Sequence, residues 1–224
     1  MKKVLFLLAF AFFSLQGYAY VIDTTKLGEV ESIVAKTGYR LLNANRIPQK
    51  ITFVVDSSKN TNAAAYYKYS TVAVTKGMIQ TVSDENELAA VLAHEISHAV
   101  DFRQGIFKGY FSCLTVGSKR NEYKADKRGV DYMVKAGYNP LAMIITLNKI
   151  TEDTRYDWYS THPLGSKRLA TVYEYIYTKY PQYLVQNEYK DNLIYQNFLL
   201  TSRENRQKFE EKIKSGSTKK INYL

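Results

Sequence analysis

Cysteine and histidine are both scarce in this chain. The 224 residues include a single cysteine, Cys113, so an internal disulfide is excluded and stability must come from packing or from a bound metal. Cys113 itself is either a small buried thiol or a regulatory metal ligand. Only three histidines are present, which confines any imidazole chemistry to His94, His98 and His162.

A stripe of basic residues is also missing, although the formal net charge is +10. Lysines and arginines are scattered among acidic residues, and the sequence contains no nucleic-acid-binding motif. We therefore expect no nucleic-acid partner. Internal repeats and low-complexity segments are absent too, and the length suits one compact domain with its own core.

A long apolar run that could span a membrane is lacking. The one apolar run, residues 4–13, follows Lys2 and Lys3 and precedes Gly17-Tyr18-Ala19. It is shorter than the roughly 20 residues of a membrane helix, so it predicts a secretory signal peptide over residues 1–19, with an uncleaved anchor as the alternative. No cysteine follows it to indicate a lipoprotein. We expect a periplasmic protein, with secretion or membrane association as alternatives.

The clearest motif is His94-Glu95-Ile96-Ser97-His98, within a helix predicted over residues 84–103. Two histidines four residues apart on a helix project from the same face, so both imidazoles can bind one zinc ion. Glu95 is then placed to accept a proton from water at the metal. Asp84 and Glu87 indicate an N-cap and capping box, and an apolar stripe predicts that the helix is buried on one side.

A second helix, predicted over residues 120–136, carries Glu122-Tyr123-Lys124-Ala125-Asp126. Glu122 and Asp126 are four residues apart and therefore share a face. Glu122 is the expected third zinc ligand, and Asp126 is expected to accept the free ring N–H of a ligand histidine. Two acids on a solvated face are the alternative, which the double-histidine motif makes less favoured.

The remaining pattern predicts a mainly helical α+β chain with a small β-sheet before the double-histidine helix. Further helices are predicted over residues 25–45, with an interruption at Gly38, 140–150 and 163–180, and strands over residues 50–56, 62–67 and 71–75. Asn62 and Ala63 begin a candidate edge strand for holding substrate through main-chain hydrogen bonds. An ordinary surface strand fits these two residues as well.

His162 lies just before the last of these helices, and Arg168 lies in its second turn. As a loop residue, His162 is placed to stabilise the oxyanion of a tetrahedral intermediate or to approach the open zinc position. Arg168 either positions substrate or holds the loop through a salt bridge, and the second role is favoured.

Two segments have no assigned task. Residues 104–118 combine glycines with large apolar residues, which suits either a packed, mobile connection or an amphipathic segment at a membrane surface. In the C-terminal extension, residues 185–224, one or two amphipathic helices are predicted over residues 188–214 and a basic tail over residues 216–224. We predict that this C-terminal extension follows a domain over residues 20–184.

With these motifs the chain resembles the M48 family of zinc metallopeptidases, in particular its small exported bacterial members. The similarity covers about residues 25–180. The matching positions are His94, Glu95 and His98 for the HExxH motif, Glu122 and Asp126 for ExxxD, His162, Pro163 and Arg168 for the HP…R segment, and Asn62-Ala63 with residues 72–77 for the strand region. Residues 66–70 depart from the proline and glycines usual after that strand. The sequence shows neither the membrane helices of the integral-membrane branch nor an appended tandem-repeat domain.

The resemblance implies a gluzincin-like fold with one zinc ion per chain, and an endopeptidase acting on unfolded or misassembled exported proteins in envelope quality control. Two other functions stay open. One is a metal-stabilised, chaperone-like protein that binds clients without cutting them, and the other is a latent protease whose zinc is covered by His162 or residues 104–118. Glu95 favours catalysis, because a pure binder needs no carboxylate beside the metal. No oligomeric state is predicted.

Overall fold

The structure, a computed structural model, describes residues 27–66, 70–103, 118–152 and 165–223. The predictions for the signal peptide, Cys113 and His162 lie outside these ranges. Within them, nine helices and three strands form, which confirms the mainly helical α+β class. The helices are α1 Leu27–Ala44, α2 Lys76–Thr81, α3 Glu85–Arg103, α4 Ser118–Lys135, α5 Leu141–Glu152, α6 Gly165–Lys179, α7 Gln182–Val185, α8 Leu193–Thr201 and α9 Arg203–Ser215.

The three strands form one mixed sheet ahead of α3. They are β1 Thr52–Asp56, β2 Ala63–Tyr66 and β3 Thr71–Thr75, in the order β1-β3-β2. β1 runs parallel to β3, whereas β2 runs antiparallel to it. β2 is therefore an edge strand of this sheet, and it packs beside α3. All three strands fall within the segments predicted as extended.

Helix α1 is continuous, so the predicted interruption at Gly38 is wrong. Gly38 is needed for packing instead. A Cβ at this position would lie 2.5 Å from Cζ of the Phe53 ring on β1, well inside van der Waals contact. The glycine thus allows the sheet to pack closely against an otherwise regular helix.

Helix α3 is the centre of the core. The prediction that it is buried on one side is wrong, because every residue from Glu87 to His98 is buried. The sheet, α1, α4 and α5 all pack against α3 and enclose it on every side. The start of the helix agrees with the sequence: Glu87 N–H donates to Asp84 Oδ1 over 2.8 Å, and Ser83 N–H donates to Glu87 Oε2 over 3.0 Å.

The C-terminal helix α8 shares the same core. Tyr195 and Phe198 of α8 are 2% and 0% exposed and belong to the cluster that contains the buried side of α5. Helix α8 packs against α5. The division at residues 184 and 185 stays a prediction. None of the described helices combines the length and the apolar character that a membrane crossing requires.

Candidate metal centre

Helices α3 and α4 bring three potential metal ligands to one point. His94 and His98, one turn apart on α3, place their Nε2 atoms 3.1 Å from each other. Glu122 of α4 places Oε2 3.4 Å from His94 Nε2 and Oε1 3.3 Å from His98 Nε2. All three side chains are buried, so their donor atoms converge out of solvent.

The spacing of these donors fits a tetrahedral zinc ion. Zinc binds imidazole nitrogen and carboxylate oxygen at about 2.0–2.1 Å, which separates neighbouring ligand atoms of a tetrahedron by about 3.3 Å. The two Nε2 atoms are 3.1 Å apart, and each has a different oxygen of Glu122 at 3.3 or 3.4 Å, so one donor atom from each residue lies within 4.8 Å of the other two. Two imidazoles and one carboxylate also form a ligand set that zinc favours and that leaves one position open.

Asp126 lies behind His94, one turn along α4 from Glu122. Its Oδ1 is 2.8 Å from His94 Nδ1, and both side chains are at most 2% exposed. A proton on Nδ1 is donated to this carboxylate, which leaves Nε2 to face the other donors.

Arg168 of α6 closes the cluster from a third helix. Its Nε donates to Asp126 Oδ2 over 2.8 Å, and its Nη2 donates to Oδ1 over 2.6 Å. Its Nη1 also lies 3.2 Å from Glu122 Oε2. The side chain is 0% exposed. Arg168 is thus held in buried salt bridges to α4. The predicted roles in positioning substrate and in holding the loop before α6 stay predictions, because that loop lies outside the described residues.

The charges of this cluster shift the pKa values of its members. Burial alone lowers the pKa of His94, but hydrogen bonds and charges from Asp126 and Glu122 outweigh it and raise the pKa to about 9. Burial alone would raise the pKa of Asp126. The charges and hydrogen bonds of Arg168 and His94 outweigh burial, so the pKa of Asp126 lies below its usual value. Binding of a cation at His94 therefore competes with protonation of the same ring.

Glu95 lies on the helix that carries both histidines, and the edge strand packs against that helix. Glu95 follows His94 on α3 and is 1% exposed. Ala63 opens β2 and is 2% exposed, and Asn62 directly precedes it. β2 packs against α3, so the candidate substrate strand runs beside the helix that carries both histidines. The proposed position of His162 lies outside the described residues.

Two features that hold α3 against α4 were not predicted. Asp101, seven residues after His94 and thus on the same face, accepts from Arg128 Nη1 over 2.6 Å and from Lys124 Nζ over 3.0 Å. Gly129 of α4 faces the α3 backbone. A Cβ at this position would lie 3.4 Å from the backbone nitrogen of His94 and 2.9 Å from Met143 Cε. The contacts of Asp101 could have been predicted from the sequence, because its spacing of seven residues from His94 places both on one face of the helix.

The fold and this cluster are those of a known class. A model of Peptidase family M48 matches residues 28–104 and 105–176. The chain belongs to this family, which confirms the resemblance carried by its motifs.

The chain is also similar, at 25–28% identity, to several curated proteins. The chain is 26% identical over 176 residues to the beta-barrel assembly-enhancing protease of Yersinia pestis, covering 59% of this chain and 36% of that protein. It is 25% identical over 199 residues to the protein of the same name from Escherichia coli K12, covering 70% and 40%. A third relative, the mitochondrial metalloendopeptidase OMA1 of Arabidopsis thaliana, is 28% identical over 125 residues, covering 43% and 26%. The chain thus spans well under half the length of these relatives.

Proposed function

We propose that this chain is a zinc-dependent endopeptidase, with His94, His98 and Glu122 as the zinc ligands. The observation that carries the proposal is the convergence of these three buried donors within 4.8 Å of one another, with Glu95 next to the first of them. Family membership supports it, because the family is one of peptidases. A bound zinc ion supplies Lewis acidity, which polarises the scissile carbonyl and makes water acidic near neutral pH.

Glu95 is the general base in this proposal. Its carboxylate takes the proton of the attacking water and later passes that proton to the leaving amine, so one residue serves both halves of the reaction. Asp126 holds His94 in the tautomer that presents Nε2. His162, placed by sequence in the loop before α6, is proposed to stabilise the oxyanion.

Strand β2 is the proposed substrate platform. Thr75 N–H donates to the Asn62 carbonyl over 3.0 Å, so Asn62 faces β3. Because antiparallel pairs alternate, Ala64 and Tyr66 also face β3, while the N–H and C=O groups of Ala63 and Ala65 point toward the outer edge. An extended peptide can bind these outward groups as an additional strand. Asn62, which pairs with Thr75 directly before β2, then fixes where this substrate-binding edge begins.

A proline pair tests this platform. Ala65→Pro removes one outward N–H and leaves the bonds to β3 intact, so we expect the KM for unfolded casein to rise about 2–10-fold, the effect of one hydrogen bond of about 0.5–1.5 kcal/mol. Ala64→Pro removes an N–H that faces β3 and should instead lower the melting temperature. An unchanged KM in a stably folded Ala65→Pro variant would argue against substrate binding at this edge.

The proposed substrates are unfolded or misassembled polypeptides exported to the bacterial envelope. The names of two relatives connect them to beta-barrel assembly, and the N-terminal sequence predicts export. Extended main-chain recognition favours an unfolded client, because it needs an exposed backbone. We propose a periplasmic location on the same grounds.

Digestion of casein tests the proposal as a whole. We expect cleavage by the chain that stops when a chelator removes zinc, with about one zinc per chain measured on the same sample. Bound zinc with no cleavage would favour the client-binding alternative. A latent enzyme would instead cleave a small peptide faster once an unfolded client is added.

A further inference from the structure

An ion cluster joins α3 to α4 one helical turn beyond His98. Asp101 of α3 accepts from Arg128 Nη1 at Oδ1 over 2.6 Å, and Lys124 Nζ donates to Oδ1 over 3.1 Å and to Oδ2 over 3.0 Å. Arg128 Nη1 also donates to the Ser97 carbonyl over 3.2 Å. Two cations of α4 therefore hold the part of α3 that carries the second histidine.

The cluster is built around a buried carboxylate. The Asp101 side chain is 4% exposed, whereas the side chains of Arg128 and Lys124 are 22% and 43% exposed. A buried carboxylate that loses its cations is left as an uncompensated charge, which is strongly destabilising. The charge of Asp101 therefore opposes any separation of α4 from this part of α3.

His98 and Glu122 lie toward the two helix ends that the cluster joins. His98 is five residues before the last residue of α3, and Glu122 is four residues after the first residue of α4. Asp101 follows His98 by three residues, and Lys124 follows Glu122 by two. Backbone near a helix end opens more readily than backbone in the middle of a helix. The cluster thus holds the helices together where opening would separate these two ligands.

His94 is supported from another direction. Asp126 Oδ1 lies 2.8 Å from His94 Nδ1, and Arg168 of α6 donates to both oxygens of Asp126. These contacts lie farther from the end of α3 than the cluster does. The Asp101 cluster acts on the other side of the histidine pair, so the two supports are complementary.

We propose that Asp101, Lys124 and Arg128 form a positioning latch that keeps His98 beside Glu122. With the latch in place, His98 Nε2 lies 3.3 Å from Glu122 Oε1. When it is lost, the helix ends separate for part of the time, and only the molecules that keep the donors together bind a metal ion at full affinity. This role rests on the proposed function, because it concerns the same site.

Two matched carboxylate variants test the latch. Asp101→Asn keeps the shape of the side chain and removes its charge. Asp131→Asn is the control, because Asp131 lies on α4 but joins it to the end of α6. Its hydrogen-bond donors are Tyr175, Lys179 and Tyr180. Zinc affinity is measured by competition with a chromophoric chelator. Amide hydrogen exchange of the metal-free chain is measured by mass spectrometry over residues 97–103 and 118–124.

Asp101→Asn should bind zinc about tenfold more weakly, as expected if about one molecule in ten keeps the donors together. Exchange over residues 97–103 and 118–124 should be faster in this variant without metal, and bound zinc should slow it again. Asp131→Asn should match the unmodified chain in both measurements, although its melting temperature falls. Lys124→Gln, which keeps Arg128 beside Asp101, should give an intermediate result.

Unchanged zinc affinity or unchanged exchange in a folded Asp101→Asn variant would overturn the latch, as would an equal loss of affinity in Asp131→Asn. If Asp101→Asn does not fold, Lys124→Gln decides by the same two measurements. An unmodified chain that binds no zinc would overturn the proposed function instead. Exchange in the metal-free chain would still show whether the cluster holds the helix ends, so the two failures are distinguishable.

Discussion

Replacement of Glu95 by glutamine is expected to reduce casein cleavage by about 10²–10⁴-fold, the usual contribution of a general base. Glutamine has nearly the same shape as glutamate but cannot accept a proton at neutral pH. Glu95 is 1% exposed, within a run from Glu87 to His98 that is buried throughout, so an isosteric change is the one least damaging to packing. Zinc should stay bound at about one per chain, because the ligand set is untouched.

The control for this variant is Glu85→Gln on the same helix. Glu85 accepts from the Tyr138 hydroxyl over 2.7 Å at the start of α3, away from the ligands. We expect Glu85→Gln to cleave casein at close to the normal rate at a temperature where it stays folded. Normal activity in Glu95→Gln would show that Glu95 is not the base, and loss of zinc from it would indicate a structural role instead.

Removal of the third ligand by Glu122→Ala is expected to abolish the stabilisation that zinc gives to the fold. A ligand at 1,000 times its dissociation constant stabilises the folded state by about 4.1 kcal/mol. For a chain of this size that corresponds to about 8–16 °C in melting temperature, since 1 kcal/mol shifts it by about 2–4 °C. The unmodified chain should show this difference between its zinc-loaded and chelator-treated forms, and Glu122→Ala should show little of it.

The zinc response, rather than the absolute melting temperature, is the quantity to compare. Glu122 is 3% exposed beside Arg168, so its removal also changes the stability of the metal-free protein. Glu204→Ala is the control, because Glu204 is exposed on α9 and should leave the zinc response intact. A full zinc response in Glu122→Ala would remove Glu122 from the ligand set.

Short-range spacing was sufficient to predict how the ligand helices present their side chains. His94 and His98, and likewise Glu122 and Asp126, are pairs at i and i+4, and a helix alone places each pair on one face. The contact of Asp126 with His94 Nδ1 then follows once these faces of α3 and α4 pack against each other. The strands were similarly predictable from β-branched runs with local turns between them.

Interactions that depend on how helices dock were not predictable in the same way. Arg168 is 42 residues from Asp126, and its sequence position allowed both a substrate contact and a salt bridge. Its salt bridges to α4 follow from the packing of α6 against α4, which no periodicity specifies. The burial of α3 on all sides was missed for a related reason, because small alanines fill the faces between its larger apolar residues.

Helix α2 shows a further limit of sequence patterns. Its six residues are too few for helical periodicity to be visible. The helix is nevertheless capped by Thr75, whose Oγ1 accepts from Met78 N–H over 3.1 Å. Gly77, at its second position, lies against the backbone of Lys59 and Asn60, where a Cβ would be 2.2 Å from the Lys59 carbonyl oxygen.

Titration of zinc back into the chelator-stripped chain, with casein cleavage followed at each addition, tests the central proposal most directly. We expect the cleavage rate to rise in proportion to bound zinc and to level off at about one zinc per chain. Zinc bound at this ratio without any cleavage, or cleavage that does not depend on zinc, would contradict a zinc-dependent endopeptidase.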